Sequence, residues 1–156
     1  MRFYHTSTQT VECPDTKHSR EYLDFGRGFC LTTIYEQAVK YGNRFLRRGR
    51  QAWLNTYEFD INKNDWNVLR FDSYDKEWLD FVSLCRAGED KSDYDLVMGG
   101  IANDNVILTL DRYFAGEISQ EEALGLLRYE KPNIQYCIRS EKMLKDCLTF
   151  IESKQL

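Results

Sequence analysis

Two prolines (Pro14 and Pro132) and two histidines (His5 and His18) are all that 156 residues contain of either type. With so little proline, no low-complexity stretch and no internal repeat, neither a stiff linker nor a repeat array is present, and one domain over 1–156 is expected. No uninterrupted apolar run approaches the roughly 20 residues of a membrane-spanning helix. The start, Met1-Arg2-Phe3-Tyr4-His5-Thr6, lacks the apolar stretch of a secretory signal. A soluble, cytoplasmic protein with no membrane role is therefore expected. An excess of positive charge is also missing. The 21 Lys and Arg face 25 Asp and Glu, a net charge of −4, whereas indiscriminate nucleic-acid binding rests on a basic surface. The five cysteines are odd in number and form no CxxC pair, so neither a disulfide framework nor a zinc site is expected. Cys13 with His18 is a poor metal pair, and no metal is expected.

What the chain does have is ordinary globular composition, 42% hydrophobic and 29% charged, with strands and helices mixed irregularly. That mixture favours an α+β fold over a doubly wound one. Residues 2–6 read as a strand with Phe3 and His5 on one face and Tyr4 on the other. Cys13 to Leu23 reads as a loop, and Phe25 to Thr32 as a turn leading into a strand. Thr33 and Glu36 read as a capping box for a helix whose apolar face is Ile34, Ala38, Tyr41 and Phe45. Trp53 to Ile61 alternates cleanly as a strand, Val68 to Phe71 reads as another, and Trp78, Phe81, Val82 and Cys85 mark a helix face. Leu96 to Ala102 reads as a strand in which Gly99-Gly100 permits a bulge or a close backbone approach. Ser119 and Glu122 form a second capping box. Ile134 to Arg139 alternates again, with Gln135, Cys137 and Arg139 on one face. Ser140 caps a final helix with Met143, Leu144, Cys147, Leu148 and Ile151 inward. Arg44, Arg47, Arg48 and Arg50 fit either a solvated helix end, where cations suit the dipole, or a phosphate clamp.

Three segments together resemble the ADP-ribosyltransferase superfamily, in its histidine–tyrosine–glutamate branch. Tyr4-His5-Thr6-Ser7 resembles the first-strand motif. Gly26-Arg27-Gly28-Phe29-Cys30-Leu31-Thr32 resembles the second, a GxG turn followed by an aromatic strand, and Tyr41 stands where a later helix brings a second aromatic. Asn133-Ile134-Gln135-Tyr136-Cys137-Ile138 resembles the late strand that bears the catalytic glutamate. The layout is similar to a bacterial family of small proteins grouped with these transferases. The resemblance implies a split β-sandwich with flanking helices that grips NAD. It implies that His5 bonds a ribose, that the backbone of Thr6 holds the nicotinamide carboxamide, that Gly28, Cys30 and Thr32 line the cofactor, and that Tyr41 stacks on the nicotinamide.

Two positions depart from the pattern. Cys30 stands where the first stacking tyrosine would be, and Gln135 where the catalytic glutamate would be. A glutamine accepts a hydrogen bond from a ribose hydroxyl but is no base. A different carboxylate would then be needed: Asp104, just after the interrupted strand, or Glu141, although Asp104 and Asn105 are also ordinary turn residues and Glu141 an ordinary first-turn helix acid. The implied activity is transfer of ADP-ribose from NAD to a macromolecular acceptor, protein or nucleic acid, by a bacterial toxin or defence protein with a cognate antitoxin. A catalytically degenerate module that binds NAD or another nucleotide, and a plain interaction module, stay open beside it.

Overall fold

The computed structural model describes residues 1–18, 23–61 and 65–156. The elements run β1 (Arg2–Ser7), β2 (Phe29–Thr32), α1 (Tyr35–Arg47), β3 (Trp53–Phe59), β4 (Val68–Arg70), α2 (Lys76–Arg86), β5 (Leu96–Gly100), α3 (Asp104–Phe114), α4 (Gln120–Leu127), β6 (Ile134–Ile138), α5 (Glu141–Cys147) and β7 (Leu148–Gln155). They form an α+β domain around one mixed, seven-stranded sheet in the order β4-β5-β6-β2-β1-β3-β7. Only β4 and β5 pair in parallel.

Directly opposed residues of a sheet point to the same side, so the register sorts the side chains. One face carries Phe3, Phe29, Leu31, Tyr57, Leu96 and Ile138. α5 closes over it with Met143, Leu144 and Cys147. The other face carries Val97 and Cys137, which pack with Phe25, Phe71, α2, α3 and α4. α1 lies on that second face too, against the other half of the sheet. The Thr6 hydroxyl donates to the Ala38 carbonyl at 2.7 Å, and a Cβ on Gly42 would stand 3.1 Å from Thr6 Cγ2. The glycine is what lets helix and strand approach so closely.

At Gly99-Gly100 neither the expected bulge nor a backbone approach occurs; the pairing with β6 is regular, and aromatic rings pack where Cβ atoms would stand. A Cβ on Gly99 would lie 2.8 Å from the Phe25 ring, and one on Gly100 would overlap Tyr74. The Ser119–Glu122 capping box forms in full. Other expectations are corrected. α1 begins after Ile34 without a side-chain cap; the Thr32 hydroxyl accepts from the Ile34 amide instead. Its buried stripe is Ala38 and Gly42, and Tyr41 is exposed, because small residues, not aromatics, fit the narrow space over β1. Residues 104–114 are a helix, capped by Asn103, whose side chain accepts from the Val106 amide. The helix expected to run through Ile151 stops at Cys147, where the chain turns into β7 along β3. Cys30 and Cys137 are joined in a disulfide, against the expectation of none. Between Cys13 and Leu23, residues 19–22 lie outside the described residues, and the described remainder contains no strand or helix.

Candidate functional site

The pairing between β1 and β2 is the feature that shapes the middle of the sheet. β1 runs along β3 over its whole length, from Arg2↔Glu58 to Ser7↔Trp53. Against β2 it keeps a single register pair, Tyr4↔Thr32. The reason lies in Cys30. Its Cα stands 4.1 Å from that of Cys137, the spacing of an antiparallel pair that exchanges no backbone hydrogen bonds. Its own carbonyl therefore points away from β6, toward β1. There it accepts from Nδ1 of His5 at 2.8 Å rather than from a backbone amide. The imidazole stands in for the ladder, and the strands part beyond Tyr4. The sheet is thus divided into β1-β3-β7 and β4-β5-β6-β2, joined at one end of a seam.

His5 packs on Phe29, with ring centroids 4.1 Å apart. Burial pushes its pKa below the ordinary histidine value, and the bond to Cys30 opposes this only in part. A neutral ring with Nδ1–H committed to Cys30 presents Nε2 as an acceptor. Nε2 has no partner among the described residues.

Gln135 lies opposite Thr32 in β6, and Cys137 opposite Cys30. With Tyr4 paired to Thr32, these side chains share the face on which α1 and α3 stand. The carboxamide of Gln135 makes no protein hydrogen bond among the described residues. Cys137 Sγ is 3.8 Å from Oε1 but, bonded to Cys30, carries no proton. Thr32 is 8% exposed, and its hydroxyl donates to Gln37 Oε1 on α1 at 3.3 Å. Tyr4 meets Tyr35 edge to face. The rim is made by Arg44 of α1, whose guanidinium lies 5.4 Å from the Tyr41 ring centre and 3.9 Å from a carboxylate oxygen of Asp104, the first residue of α3.

The structure therefore places Gln135, Cys30 and Thr32 on one face of the sheet, the face on which α1 and α3 stand, with Tyr41 on α1 and Asp104 at the start of α3. It sets His5 on the reverse face, beside Phe3 and Phe29, reaching the others only through the seam. Thr6 is buried under α1, with its hydroxyl already used. Asp104 is almost wholly exposed, at 89%, which leaves it with the environment of an ordinary surface acid. Gly28 sits at the far end of β2, where a Cβ would come within 2.7 Å of the Ile138 carbonyl oxygen; close packing of the strands by itself accounts for the glycine. Arg44 was read from the sequence only as one of the Arg44–Arg50 cluster, and Tyr35 and Gln37 were not singled out. The one available signal was the helical spacing that puts Arg44 beside Tyr41.

A hollow of about 500 Å³ lies at the other end of β2 and β6, lined by Gly26, Arg27, Asp90, Tyr94 and Arg139 among others. Arg139 and Asp90 in it are paired with each other. Arg139 donates to Asp90 at 2.8 Å and to the Ser92 carbonyl at 3.2 Å. Burial raises the Asp90 carboxyl, but bonds from Ser92 and Arg139 outweigh it and hold the group below the usual carboxylate value. Burial pushes the neighbouring Cys85 thiol up to about 12, so it stays protonated. No group of residues able to hold a metal ion occurs among the described residues, and no helix among them is long and apolar enough to cross a membrane.

The chain belongs to the DUF3990 family of proteins of unknown function, whose family model matches residues 1–150. No curated protein and no solved structure matches it.

Proposed function

We propose that this member of the DUF3990 family is an NAD-dependent ADP-ribosyltransferase, with NAD seated where β1 and β2 part. The observation that carries this is the seam itself. The resemblance noted in the sequence calls for two half-sheets gripping the dinucleotide, and here one sheet divides at the strand that bears His5. Beyond Tyr4 the backbone of Thr6 has no register partner on β2, which supports a role for it in holding a carboxamide. His5 Nε2 offers an acceptor to a ribose hydroxyl from one side of the seam. Gln135 offers an unused carboxamide from the other.

The chemistry is cleavage of the nicotinamide–ribose bond. The ribose carbon gains positive charge as nicotinamide leaves with the bonding electrons, and an acceptor nucleophile then attacks it. Gln135 would orient the ribose by hydrogen bonding, and orientation alone supplies part of the rate. It cannot take a proton. The acceptor must therefore be one that needs little deprotonation, or Asp104 must move inward past Arg44. A protein or nucleic-acid acceptor, and a bacterial toxin or defence role with a cognate antitoxin, belong to the same proposal.

A second function is favoured by Gln135 together with the Cys30–Cys137 disulfide: binding of NAD without turnover. NAD+ labelled in its adenylate phosphate, incubated with the protein and a bacterial extract, separates the two. Transfer predicts label in a protein, nucleic-acid or small-molecule fraction, lost with His5→Ala. Intact NAD+ that binds without label transfer assigns the second function. No binding at all removes both.

A further inference from the structure

The Cys30–Cys137 disulfide lies beneath the candidate site, at the edge of the core on the second sheet face. Cys30 and Cys137 are register partners on β2 and β6. On one side, the Cys30 carbonyl holds His5 at 2.8 Å. On the other, Cys137 Sγ stands 3.8 Å from Oε1 of Gln135. The bond thus sits between the two polar side chains that face the seam. The two residues are unequally buried: Cys137 is 1% exposed, while Cys30 is partly buried.

We propose that this disulfide is a reversible redox switch on the cleft, with the oxidised state competent to bind and the reduced state impaired. The inference rests on the placement of NAD proposed above. The reductant is a dithiol. Its thiolate attacks Cys30 Sγ, on the less buried of the two residues; a mixed disulfide forms as the Cys30–Cys137 bond breaks, and the Cys137 sulfur takes up a proton. The second thiol of the reductant then displaces Cys30, which is protonated in turn, and leaves as a cyclic disulfide. The protein gains two electrons and two protons, and the reductant loses the same.

Two changes in the cleft follow from the proton count. The Cys137 sulfur becomes an S–H donor within reach of Gln135 Oε1 and engages the oxygen that the oxidised protein leaves unused. The two sulfurs, no longer bonded, must also separate to van der Waals contact. The strands are fixed by their ladder and Cys137 is enclosed by core, so the Cys30 thiol is the one that swings, toward the candidate site. Both changes oppose a ligand that needs Gln135 and an undisturbed site.

The test uses the full chain, oxidised or treated with dithiothreitol, with the thiol state checked by alkylation and mass. Two quantities are read: NAD+ affinity by calorimetry, and the side-chain amide signals of Gln135 in an NMR spectrum, assigned with Gln135→Glu. The expected result is a several-fold loss of NAD+ affinity on reduction, recovery on reoxidation, and a shifted Gln135 amide. Cys137→Ser should bind as weakly as the reduced protein and ignore the reductant, while Cys13→Ser, at an exposed thiol, should keep the response. Verified reduction that moves neither quantity overturns the switch. A redox-dependent Gln135 signal with no NAD+ binding by either form keeps the switch and removes NAD as the ligand. NAD+ binding that ignores the redox state, with Gln135 unmoved, does the reverse.

Discussion

Replacing Arg139 by Met should destabilise the fold far more than loss of a surface charge would. The side chains of Arg139 and Asp90 are only 11% and 10% exposed. The guanidinium donates to Asp90 Oδ2 at 2.8 Å, to the Ser92 carbonyl at 3.2 Å and to the Ser92 hydroxyl at 3.3 Å, and it lies over the Phe81 ring. Met keeps much of the apolar stem but leaves a buried carboxylate without its cation. Breaking such a pair from one side costs about 3–5 kcal/mol. At roughly 2–4 °C per kcal/mol for a domain of this size, the melting temperature should fall on the order of 10 °C. Urea unfolding followed by tryptophan fluorescence measures the change as a lower midpoint at an unchanged slope. The pH dependence supplies a second check. In the wild type the Asp90 carboxyl sits below its ordinary value. Its contribution is therefore present above the unfolded carboxylate pKa, about 3.9, and is lost as pH falls through the folded value. Without Arg139 burial dominates and the carboxyl protonates more readily, so the gap between variant and wild type should narrow as the solution is acidified. The double variant Asp90→Asn with Arg139→Met should recover part of the loss. A cost below about 1 kcal/mol, the range of exposed pairs, would refute the claim that this pair is buried and ties the 88–95 segment to the end of β6.

Gly28→Ala should cost about 1–3 kcal/mol of overpacking, because its Cβ would meet the Ile138 carbonyl oxygen, which can retreat only by moving β6; a thermal melt level with wild type would deny the close approach of the strands there. Gln135→Glu should change the ratio of NAD+ hydrolysis to transfer by returning a carboxylate to the ribose side of the cleft, read by chromatography of labelled products. An identical product profile would take Gln135 out of the site. The loss of labelling with His5→Ala and the redox response of the Cys30–Cys137 pair complete the set.

The elements that could be read from the sequence are those whose cause is local. The alternation of Trp53 to Ile61, realised as a strand over Trp53–Phe59, the stripe of Trp78, Phe81, Val82 and Cys85, and the Ser119–Glu122 box each depend on residues within a few positions of one another, and each is present. The need for small residues at Gly99-Gly100 was legible for a related reason, since paired glycines inside an apolar strand mark a place where side chains must be absent; that the space is taken by the Phe25 and Tyr74 rings rather than by a bulge or another backbone was not. Where the sequence misled, a distant partner decided. β7 carries helix-like spacing, yet the open edge of β3 captures it as a strand. Tyr41 continues an apolar stripe, yet Gly42 and Ala38 are what fit against Thr6 and Ala52.

The candidate site divides along the same line. The residue types that can orient a ribose and hold a carboxamide are written in the chain at His5, Thr6 and Gln135, because chemistry belongs to side chains and backbone groups wherever they fall. Their relation to one another is not. That His5 takes a carbonyl from Cys30 and so parts β1 from β2, that Gln135 faces the other side of the sheet, and that Cys30 meets a cysteine 107 residues away all depend on strand register. A shift of one residue in pairing would turn every one of these side chains to the opposite face. Register is set by the packing of both sheet faces at once, which is a property of the assembled tertiary structure and not of any segment within it.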